Sequence, residues 1–261
     1  MQLSSDMSAI VTGGASGLGE ASARKLAASG VKVTLFDMNE ERGQQVAEDI
    51  GGLFQLVDVT SEDSIKAGLA AARVQYGQER ILVNCAGIVV GQKTISRDRE
   101  TGAVKPHDLS VFARVVQVNL CGTFNMIALS SAGMAGLEPV TGDGGRGVIV
   151  CTSSIAGVEG QMGQVAYAAS KGGILGLTLP VARDLARDGI RIVSIMPGLF
   201  HTPMFDGLPQ DVRDSLGSGV PFPSRLGNPE EFAETVEHIC RNDMLNGTSI
   251  RLDGAIRLEP R

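Results

Sequence analysis

Short apolar runs alternate with longer amphipathic stretches along the first third of the chain. The apolar runs predict strands at residues 8–12, 32–37, 53–58 and 80–84. Stretches of helical periodicity lie between them and predict helices at residues 18–28, 39–50 and 61–76. Parallel strands need a crossover of about a dozen residues or more, and the crossover helix covers one face of the sheet. The alternation therefore predicts a parallel, doubly wound α/β sheet.

The same alternation continues to the end of the chain without a break that would mark a second domain. Further strands are predicted at residues 147–152, 191–196 and 248–253, and further helices at 109–137, 166–187 and 230–240. Two stretches interrupt the pattern, a polar loop at 88–108 and a proline-containing segment at 197–229. Loops of this length in a compact domain are usually functional or disordered. We expect residues 1–261 to form a single Rossmann-like α/β domain of about seven strands with helices on both faces.

The composition argues against several classes of protein. The net charge is −6 and Lys and Arg form no five-residue block, which argues against nucleic acid as the main partner. No apolar run reaches the ~18 residues of a membrane helix, and the first positive charge is Arg24, which is atypical of signal and transit peptides. The four cysteines are widely spaced in apolar surroundings, as expected for reduced thiols. We therefore expect a cytoplasmic protein with no metal site and no membrane contact.

The first predicted strand leads directly into a glycine-rich turn that opens the first predicted helix. The turn reads Thr12-Gly13-Gly14-Ala15-Ser16-Gly17-Leu18-Gly19. Glycine permits a tight turn and lets backbone N–H groups approach a pyrophosphate, which the helix N-terminus also attracts. A glycine string alone is weak evidence. The strand before it and the helix after it make a dinucleotide site the favoured interpretation.

Acidic residues end the second and third predicted strands. The Asp37 carboxylate would accept both hydroxyls of an adenosine ribose and repel a 2′-phosphate, and the glycine turn contains no Arg or Lys. These features favour NAD over NADP. Asp58, with Val59 after it, would either reach the adenine amino group or cap the following helix.

Tyr167 and Lys171 lie four residues apart on one predicted helix and therefore project from the same face. Tyrosine has an ordinary pKa of about 10, and a neighbouring ammonium group favours the phenolate, which brings the phenol closer to working pH as an acid or base. Ser153 and Ser154 follow the predicted strand at 147–152, so that Ser154 offers a hydroxyl for a substrate oxygen. The arrangement predicts acid–base chemistry at that oxygen.

In combination, these motifs resemble the short-chain dehydrogenase/reductase family over essentially the full chain. The glycine turn is similar to the family's cofactor turn, Asn84-Cys85-Ala86-Gly87 to its NNAG segment, and Pro197-Gly198 to its segment near the nicotinamide. The resemblance implies a catalytic tetrad of Asn119, Ser154, Tyr167 and Lys171.

The resemblance also implies a role for each member of the tetrad. Tyr167 is the acid or base, and Ser154 positions the carbonyl or alcohol oxygen, so that both contact the substrate. Lys171 binds the nicotinamide ribose and tunes Tyr167, and Asn119 holds a proton-relay water. Together, the residue patterns and the resemblance assign NAD binding to Gly13, Ser16, Gly17, Leu18, Gly19, Asp37, Asp58, Val59, Cys85, Gly87, Tyr167, Lys171, Pro197, Phe200 and Thr202.

The chain after residue 146 resembles one subfamily more closely, the type 10 17β-hydroxysteroid dehydrogenases, also called type II or short-chain 3-hydroxyacyl-CoA dehydrogenases. Segments such as Val220-Pro-Phe-Pro-Ser-Arg-Leu-Gly227 and Ile250-Arg-Leu-Asp-Gly-Ala-Ile256 carry this similarity. It implies NAD-dependent interconversion of a 3-hydroxyacyl-CoA and a 3-oxoacyl-CoA, an activity of fatty acid metabolism, by a homotetramer. A hydroxysteroid or another secondary alcohol is the alternative substrate. A non-catalytic scaffold role in RNA processing is a further alternative, against which the intact tetrad and the acidic balance argue.

The two interrupting segments indicate where the substrate would bind. The polar loop carries Lys93, Arg97, Arg99 and Lys105 within an acidic chain, which suits the phosphates of coenzyme A, although a solvated loop has the same composition. The segment 197–229 would form an apolar lid over the substrate or pack on a neighbouring helix. Its apolar side chains are Leu199, Phe200, Met204, Phe205, Leu208 and Phe222.

Overall fold

Strands and helices alternate along residues 1–203 and 210–260, which the computed structural model describes. The strands are β1 (Ser8–Thr12), β2 (Lys32–Asp37), β3 (Leu53–Leu56), β4 (Ile81–Asn84), β5 (Ile95–Arg97), β6 (Val104–Pro106), β7 (Gly147–Thr152), β8 (Ile190–Pro197) and β9 (Thr248–Leu252). The α-helices are α1 (Gly17–Ala28), α2 (Glu40–Ile50), α3 (Glu62–Tyr76), α4 (Leu109–Val116), α5 (Thr123–Met134), α6 (Ala156–Glu159), α7 (Val165–Asp184), α8 (Gln210–Ser218) and α9 (Pro229–Arg241). A π-helical turn (Gln117–Gly122) joins α4 to α5, and a 3-10 turn (Ala186–Asp188) follows α7.

Seven of the strands form one sheet in the order β3-β2-β1-β4-β7-β8-β9. Every neighbouring pair in this sheet is parallel. The strand order reverses direction between β1 and β4, and ligands of open α/β sheets bind outside the carboxyl ends of the strands at such a point. The predicted doubly wound sheet is therefore confirmed, and its topology places a binding site beyond β1 and β4.

Helices cover both faces of the sheet because successive side chains of each buried strand point in opposite directions. In β1, Ala9 belongs to one buried cluster, together with side chains of α1, α2 and α9 such as Leu26. The next residue, Ile10, belongs to a second buried cluster, together with side chains of α3, α5 and α7 such as Met126 and Ile174. The central strands are consequently apolar on both sides, which explains their nearly uninterrupted apolar runs.

The predicted long helix at 109–137 is instead two helices joined by the π-helical turn. A π-helical turn inserts one extra residue per turn, and such turns are frequent at functional sites. Here the turn contains Asn119, which is fully buried. Periodicity over the whole stretch stays close to helical, so that the pattern of apolar residues gives no sign of the insertion.

The polar loop and the proline-containing segment both contain elements that the apolar pattern does not predict. The polar loop forms the antiparallel β5–β6 hairpin, whose residues are exposed. The proline-containing segment includes α8, and its residues Met204, Phe205 and Leu208 lie outside the described residues. The short helix α6 lies in the connection after β7, for which the sequence pattern predicts no element.

Two helical stretches, Leu109–Met134 and Val165–Asp184, are long and apolar enough to cross a membrane by length and composition alone. Buried core helices of α/β domains pass the same test. Both stretches contribute to the second buried cluster, through residues such as Met134 and Val181.

Candidate active site

A cavity of about 910 Å³ lies at the carboxyl ends of β1, β2, β3, β4, β7 and β8. All fifteen residues assigned to cofactor binding line it, and Ser154 lines it as well. Asn119 is fully buried next to the lining residue Ile88. The volume falls in the upper part of the range of about 300–1,000 Å³ that is typical of ligand pockets.

The glycine turn packs so closely that larger residues do not fit. Gly13 has a φ of +65°, and a Cβ there would lie 2.7 Å from the backbone nitrogen of Ala86. A Cβ on Gly19 would overlap the carbonyl oxygen of Gly13. Helix α1 begins at Gly17, directly beside this turn. The N-terminus of α1 therefore faces the cavity, and the glycines of the turn place no side chains between its backbone N–H groups and a ligand. This arrangement fits the pyrophosphate of a dinucleotide.

Asp37 occupies the position expected of a ribose-binding acid. Its Oδ2 accepts a hydrogen bond from the backbone N–H of Ala15 (3.0 Å), and its Oδ1 accepts one from that of Asn39 (2.9 Å). Each carboxylate oxygen can accept a further hydrogen bond. The carboxylate is thus fixed against the glycine turn and retains acceptor sites for two ribose hydroxyls.

Asp58 also lines the cavity, but it does not cap the next helix. Its Oδ1 accepts from both the backbone N–H (2.8 Å) and the hydroxyl (2.7 Å) of Thr60. The N-cap of α3 is Ser61, whose side chain accepts from the N–H of Ser64. The capping alternative for Asp58 is therefore wrong, while its contact with adenine stays a prediction.

Lys171 is a buried cation that forms two hydrogen bonds with residues at the end of β7. Its Nζ donates a hydrogen bond to the carbonyl oxygen of Thr152 (2.7 Å), and its own carbonyl accepts from the Ser153 hydroxyl (2.8 Å). Only 4 % of Lys171 is exposed. Burial lowers the pKa of Lys171 to about 8, because the charged form loses its hydration.

Tyr167 lies one helical turn before Lys171, with Nζ 5.8 Å from the centre of its ring. Burial raises the pKa of Tyr167, and a hydrogen bond with the Ser154 side chain opposes that rise. This direction is opposite to the lowering that the sequence suggested. The reason is geometric, since the Lys171 ammonium group is directed to the Thr152 carbonyl and burial dominates at the phenol.

The Asn119 side chain is hydrogen-bonded to the segment after β4 and to α7. Its Oδ1 accepts from the backbone N–H of Ile88 (2.8 Å), and its Nδ2 donates to the Ile88 carbonyl (2.9 Å) and to the Ser170 hydroxyl (3.0 Å). The Ser170 hydroxyl in turn donates to the carbonyl of Tyr167 (2.8 Å). The Asn119 side chain is thus engaged with the protein, and its hold on a relay water stays a prediction.

The segment after β8 closes one end of the cavity. Thr202 approaches Gly17, where a Cβ would lie 3.3 Å from the Thr202 methyl group. Phe200 is buried and packs edge-to-face on Phe232 of α9, with ring centres 6.4 Å apart. The packing alternative is therefore correct for Phe200, whereas Phe222 is 84 % exposed.

Several cavity residues were absent from the sequence assignment. Arg114 and Gln117 line the cavity from α4 and the π-helical turn, and their three-residue spacing places them on one helical face. That spacing was visible in the sequence, but the face turned toward the cavity was not. Thr152 contributes through its carbonyl oxygen, for which no side-chain signal exists.

A separate open cavity of about 520 Å³ lies on the β5–β6 hairpin. Lys93 and Arg97 line it, together with Ile95, Ser96 and Val104. Arg97 also donates to the carbonyl of Gly102 (3.0 Å), which steadies its guanidinium group. Two cations of the polar loop therefore share one concave surface.

Comparisons with known proteins agree with this geometry. The sequence model described as short chain dehydrogenase matches residues 7–213, and the chain belongs to this family of oxidoreductases. The chain is 50% identical over 254 residues to 3-hydroxyacyl-CoA dehydrogenase type-2 of Bos taurus (97% of this chain, 95% of the relative). It is 48% identical over 253 residues to the protein of that name from Drosophila melanogaster (96% and 97%). A crystal structure of 3-hydroxyacyl-CoA dehydrogenase type-2 from Mycobacterium avium superimposes with a TM-score of 0.92 at 42% identity, covering 98% of each chain.

Because Lys171 is a buried charge, we expect it to lower the stability of the fold while it is required for activity. Below pH 8 the folded protein carries a buried ammonium group, whereas between about pH 8 and 10.5 it has released a proton that the unfolded chain still binds. The stability cost of Lys171 is therefore largest below pH 8 and falls as the pH rises. We expect Lys171→Met to raise the free energy of unfolding at pH 7 by up to about 3 kcal/mol. The loss of the hydrogen bond from Nζ to Thr152 reduces this gain. The same substitution should abolish turnover.

Urea unfolding at pH 7 and at about pH 9.5 measures this difference. Tyr167→Phe is the control, because the pKa of Tyr167 is raised above its ordinary value and its effect on stability should be similar at both pH values. A gain in Lys171→Met that is independent of pH would contradict the buried-charge explanation.

Proposed function

We propose that the protein catalyses the NAD-dependent interconversion of a 3-hydroxyacyl-CoA and the corresponding 3-oxoacyl-CoA. The observation that carries the proposal is that Tyr167 and Ser154, whose side chains interact, line the same cavity as the glycine turn and Asp37. The names of the relatives from cattle, fruit fly and Mycobacterium avium support the choice of substrate.

The residues of the site act on the substrate oxygen. The Ser154 hydroxyl hydrogen-bonds this oxygen, and Tyr167 Oη exchanges the proton with it. When bound, the nicotinamide accepts or supplies the hydride at the adjacent carbon. Because burial raises the pKa of Tyr167, the phenol keeps its proton at neutral pH and is ready to donate it to a carbonyl oxygen in the reductive direction. Lys171 would hold the nicotinamide ribose, and its hydrogen bond to the Thr152 carbonyl fixes the helical turn that carries Tyr167.

NAD rather than NADP is the proposed cofactor because Asp37 is fixed at the ribose position. Its two oxygens are held by the N–H groups of Ala15 and Asn39. Met38, which follows it, is 63 % exposed and carries no charge to balance a 2′-phosphate. A phosphate at this place would meet a fixed carboxylate of the same charge.

The polar loop is the proposed site for the phosphates of coenzyme A. Lys93 and Arg97 share the open cavity on the hairpin. The base of the hairpin is tied to the loop before Tyr167, because the Gln92 N–H donates to the carbonyl of Gly163 (2.8 Å). Phosphates bound on the hairpin would therefore lie on the side of the substrate entrance, with the acyl end directed to Tyr167.

We further propose a homotetramer in the cytoplasm. The family resemblance supports the tetramer, with contacts through the stretch from α4 to α5 and through α7. Exposed apolar side chains on these helices, such as Leu109, Phe124 and Leu179, suit burial against other subunits. The four cysteines are free thiols, as in a reducing compartment.

The choice of cofactor predicts a preference that depends on the charge of Asp37. We expect kcat/KM with NADH to exceed that with NADPH by at least about tenfold. Asp37→Asn keeps the shape of the side chain and removes the repulsion, so that the preference should shrink mainly through better use of NADPH. Equal use of the two cofactors by the wild-type enzyme would contradict the assignment to NAD.

The choice of substrate predicts that the coenzyme A moiety contributes to binding. With NADH, kcat/KM for acetoacetyl-CoA should exceed that for acetoacetate esters and ketosteroids. The double variant Lys93→Ala, Arg97→Ala should raise the KM for acetoacetyl-CoA about tenfold and leave that for the ester unchanged. Lys66→Ala, which removes an exposed cation of α3, is the matched control.

Two results would contradict this substrate. Equal kcat/KM values with and without coenzyme A would indicate another secondary alcohol, and a preference for a ketosteroid would indicate a steroid dehydrogenase. An unchanged KM in the double variant would reject the hairpin as the phosphate site without rejecting the reaction.

A further inference from the structure

The connection between Ser154 and Tyr167 is bound to β9 and the chain after it by a network of charged side chains. Glu159 ends α6 in this connection, and its carboxylate receives two parallel hydrogen bonds from Arg251 of β9 (2.8 and 2.9 Å). The two side chains are 23% and 25% exposed. Two-pronged pairs of Arg and carboxylate fix orientation as well as distance, and partial burial reduces their screening by solvent.

The same carboxylate also binds the segment that follows β9, residues 253–260, which we call the tail. The N–H of Leu258 donates to Glu159 Oε2 (3.2 Å), and Arg257 Nε lies 3.4 Å from Oε1. Asp253 completes the network by accepting from Arg251 Nε (2.5 Å). Glu159 therefore pairs with both arginines of a cluster that contains one further carboxylate, that of Asp253.

Main-chain contacts extend this attachment along the connection. The Gln161 side chain donates to the carbonyl of Glu259 (2.8 Å), and the N–H of Met162 donates to the carbonyl of Pro260 (3.1 Å). On its other side, the connection accepts a hydrogen bond at Gly163 from the base of the hairpin. Residues 159–163 thus lie between the tail and the polar loop.

The tail also contacts the proline-containing segment. The N–H of Phe222 donates to the carbonyl of Gly254 (3.2 Å). Ile256 of the tail packs in one buried cluster with Val220 and with Ile155, the residue directly after Ser154. The tail therefore joins the two chain segments that border the substrate end of the cavity.

Helix α6 contacts Ser154 at its start and packs against α7, which carries Tyr167. The Ser154 hydroxyl accepts from the N–H of Ala156 (3.1 Å), and the Ser154 carbonyl accepts from that of Gly157 (3.0 Å). Gly157 also packs against α7, where a Cβ would lie 3.0 Å from the backbone nitrogen of Gly172. A change in the angle of α6 would therefore displace the Ser154 hydroxyl relative to Tyr167.

We propose that Glu159 is a positioning residue, which holds the connection between Ser154 and Tyr167 in its productive geometry by binding Arg251 and the tail. Glu159 acts by holding this connection, and with it Ser154, in place, and it contacts neither the reacting atoms nor the cofactor. The proposal deepens the proposed function and rests on it, because the effect is measured as turnover.

The test is Glu159→Gln, which keeps the size of the side chain and removes its charge. We expect kcat/KM for acetoacetyl-CoA to fall about tenfold, mainly through kcat, because displacement of the Ser154 hydroxyl relative to Tyr167 by a fraction of an ångström misaligns the groups that act on the substrate oxygen. The dissociation constant of NADH should stay within about twofold, since Glu159 is not among the residues that line the cavity. Amide hydrogen exchange should accelerate at residues 155–164.

Glu237→Gln is the matched control. Glu237 is 20% exposed and binds Lys25 and Arg241 on α1 and α9, so that it resembles Glu159 in burial and in number of cations. Its substitution should leave the kinetics unchanged. Arg251→Lys keeps the charge but loses the two-pronged contact and should give an intermediate loss, which the doubly exchanged variant Glu159→Arg, Arg251→Glu should partly reverse.

Wild-type kinetics in Glu159→Gln, or a loss that matches a fall in folded fraction and in NADH binding, would overturn the proposal. If the wild-type enzyme does not reduce acetoacetyl-CoA, the proposed function fails instead. The comparison of variants is then made with the substrate that the wild type reduces best, and unchanged amide exchange at residues 155–164 would still reject the role of Glu159.

Discussion

The buried ammonium group of Lys171 donates a hydrogen bond to the carbonyl oxygen of Thr152, and the geometry of the active site follows from this contact. A buried charge is costly unless it is hydrogen-bonded, and in this fold α7 lies where Nζ of Lys171 reaches the carbonyl oxygen at the end of β7. The Ser153 hydroxyl donates a second hydrogen bond, to the main-chain carbonyl of Lys171. Because Tyr167 lies one turn earlier on α7 and Ser154 follows β7, these two hydrogen bonds bring the phenol and the serine hydroxyl together.

The parallel sheet supplies the rest of the site. All strands of the large sheet end at one edge, and the change of direction between β1 and β4 leaves a crevice there. The glycine turn after β1, Asp37 at the end of β2 and Cys85 after β4 line the cofactor part of the cavity. The ends of β7 and β8 line the catalytic part. The cofactor and substrate parts of the cavity therefore adjoin because the parallel strands that border it end at one edge of the sheet.

The sequence was sufficient for the features that depend on local patterns. Apolar periodicity predicted the seven strands, and the spacing of Tyr167 and Lys171 predicted one helical face. Features that depend on distant contacts were not predictable. The π-helical turn at Asn119 leaves the apolar period nearly unchanged, the Thr152 carbonyl has no side-chain signal, and the direction of the Tyr167 pKa depends on burial. The pair of Glu159 and Arg251 joins residues that are 92 positions apart and becomes visible only in the fold.

The proton on Tyr167 is the centre of this description, and Tyr167→Phe tests it most directly. The substitution removes one oxygen and retains the aromatic ring beside Lys171. With NADH and acetoacetyl-CoA at pH 7, kcat should fall by about 10²–10⁴-fold, the usual contribution of a positioned general acid, while the dissociation constant of NADH remains close to that of the wild type. A kcat that stays within about threefold of the wild-type value would contradict the role of Tyr167 as the proton donor.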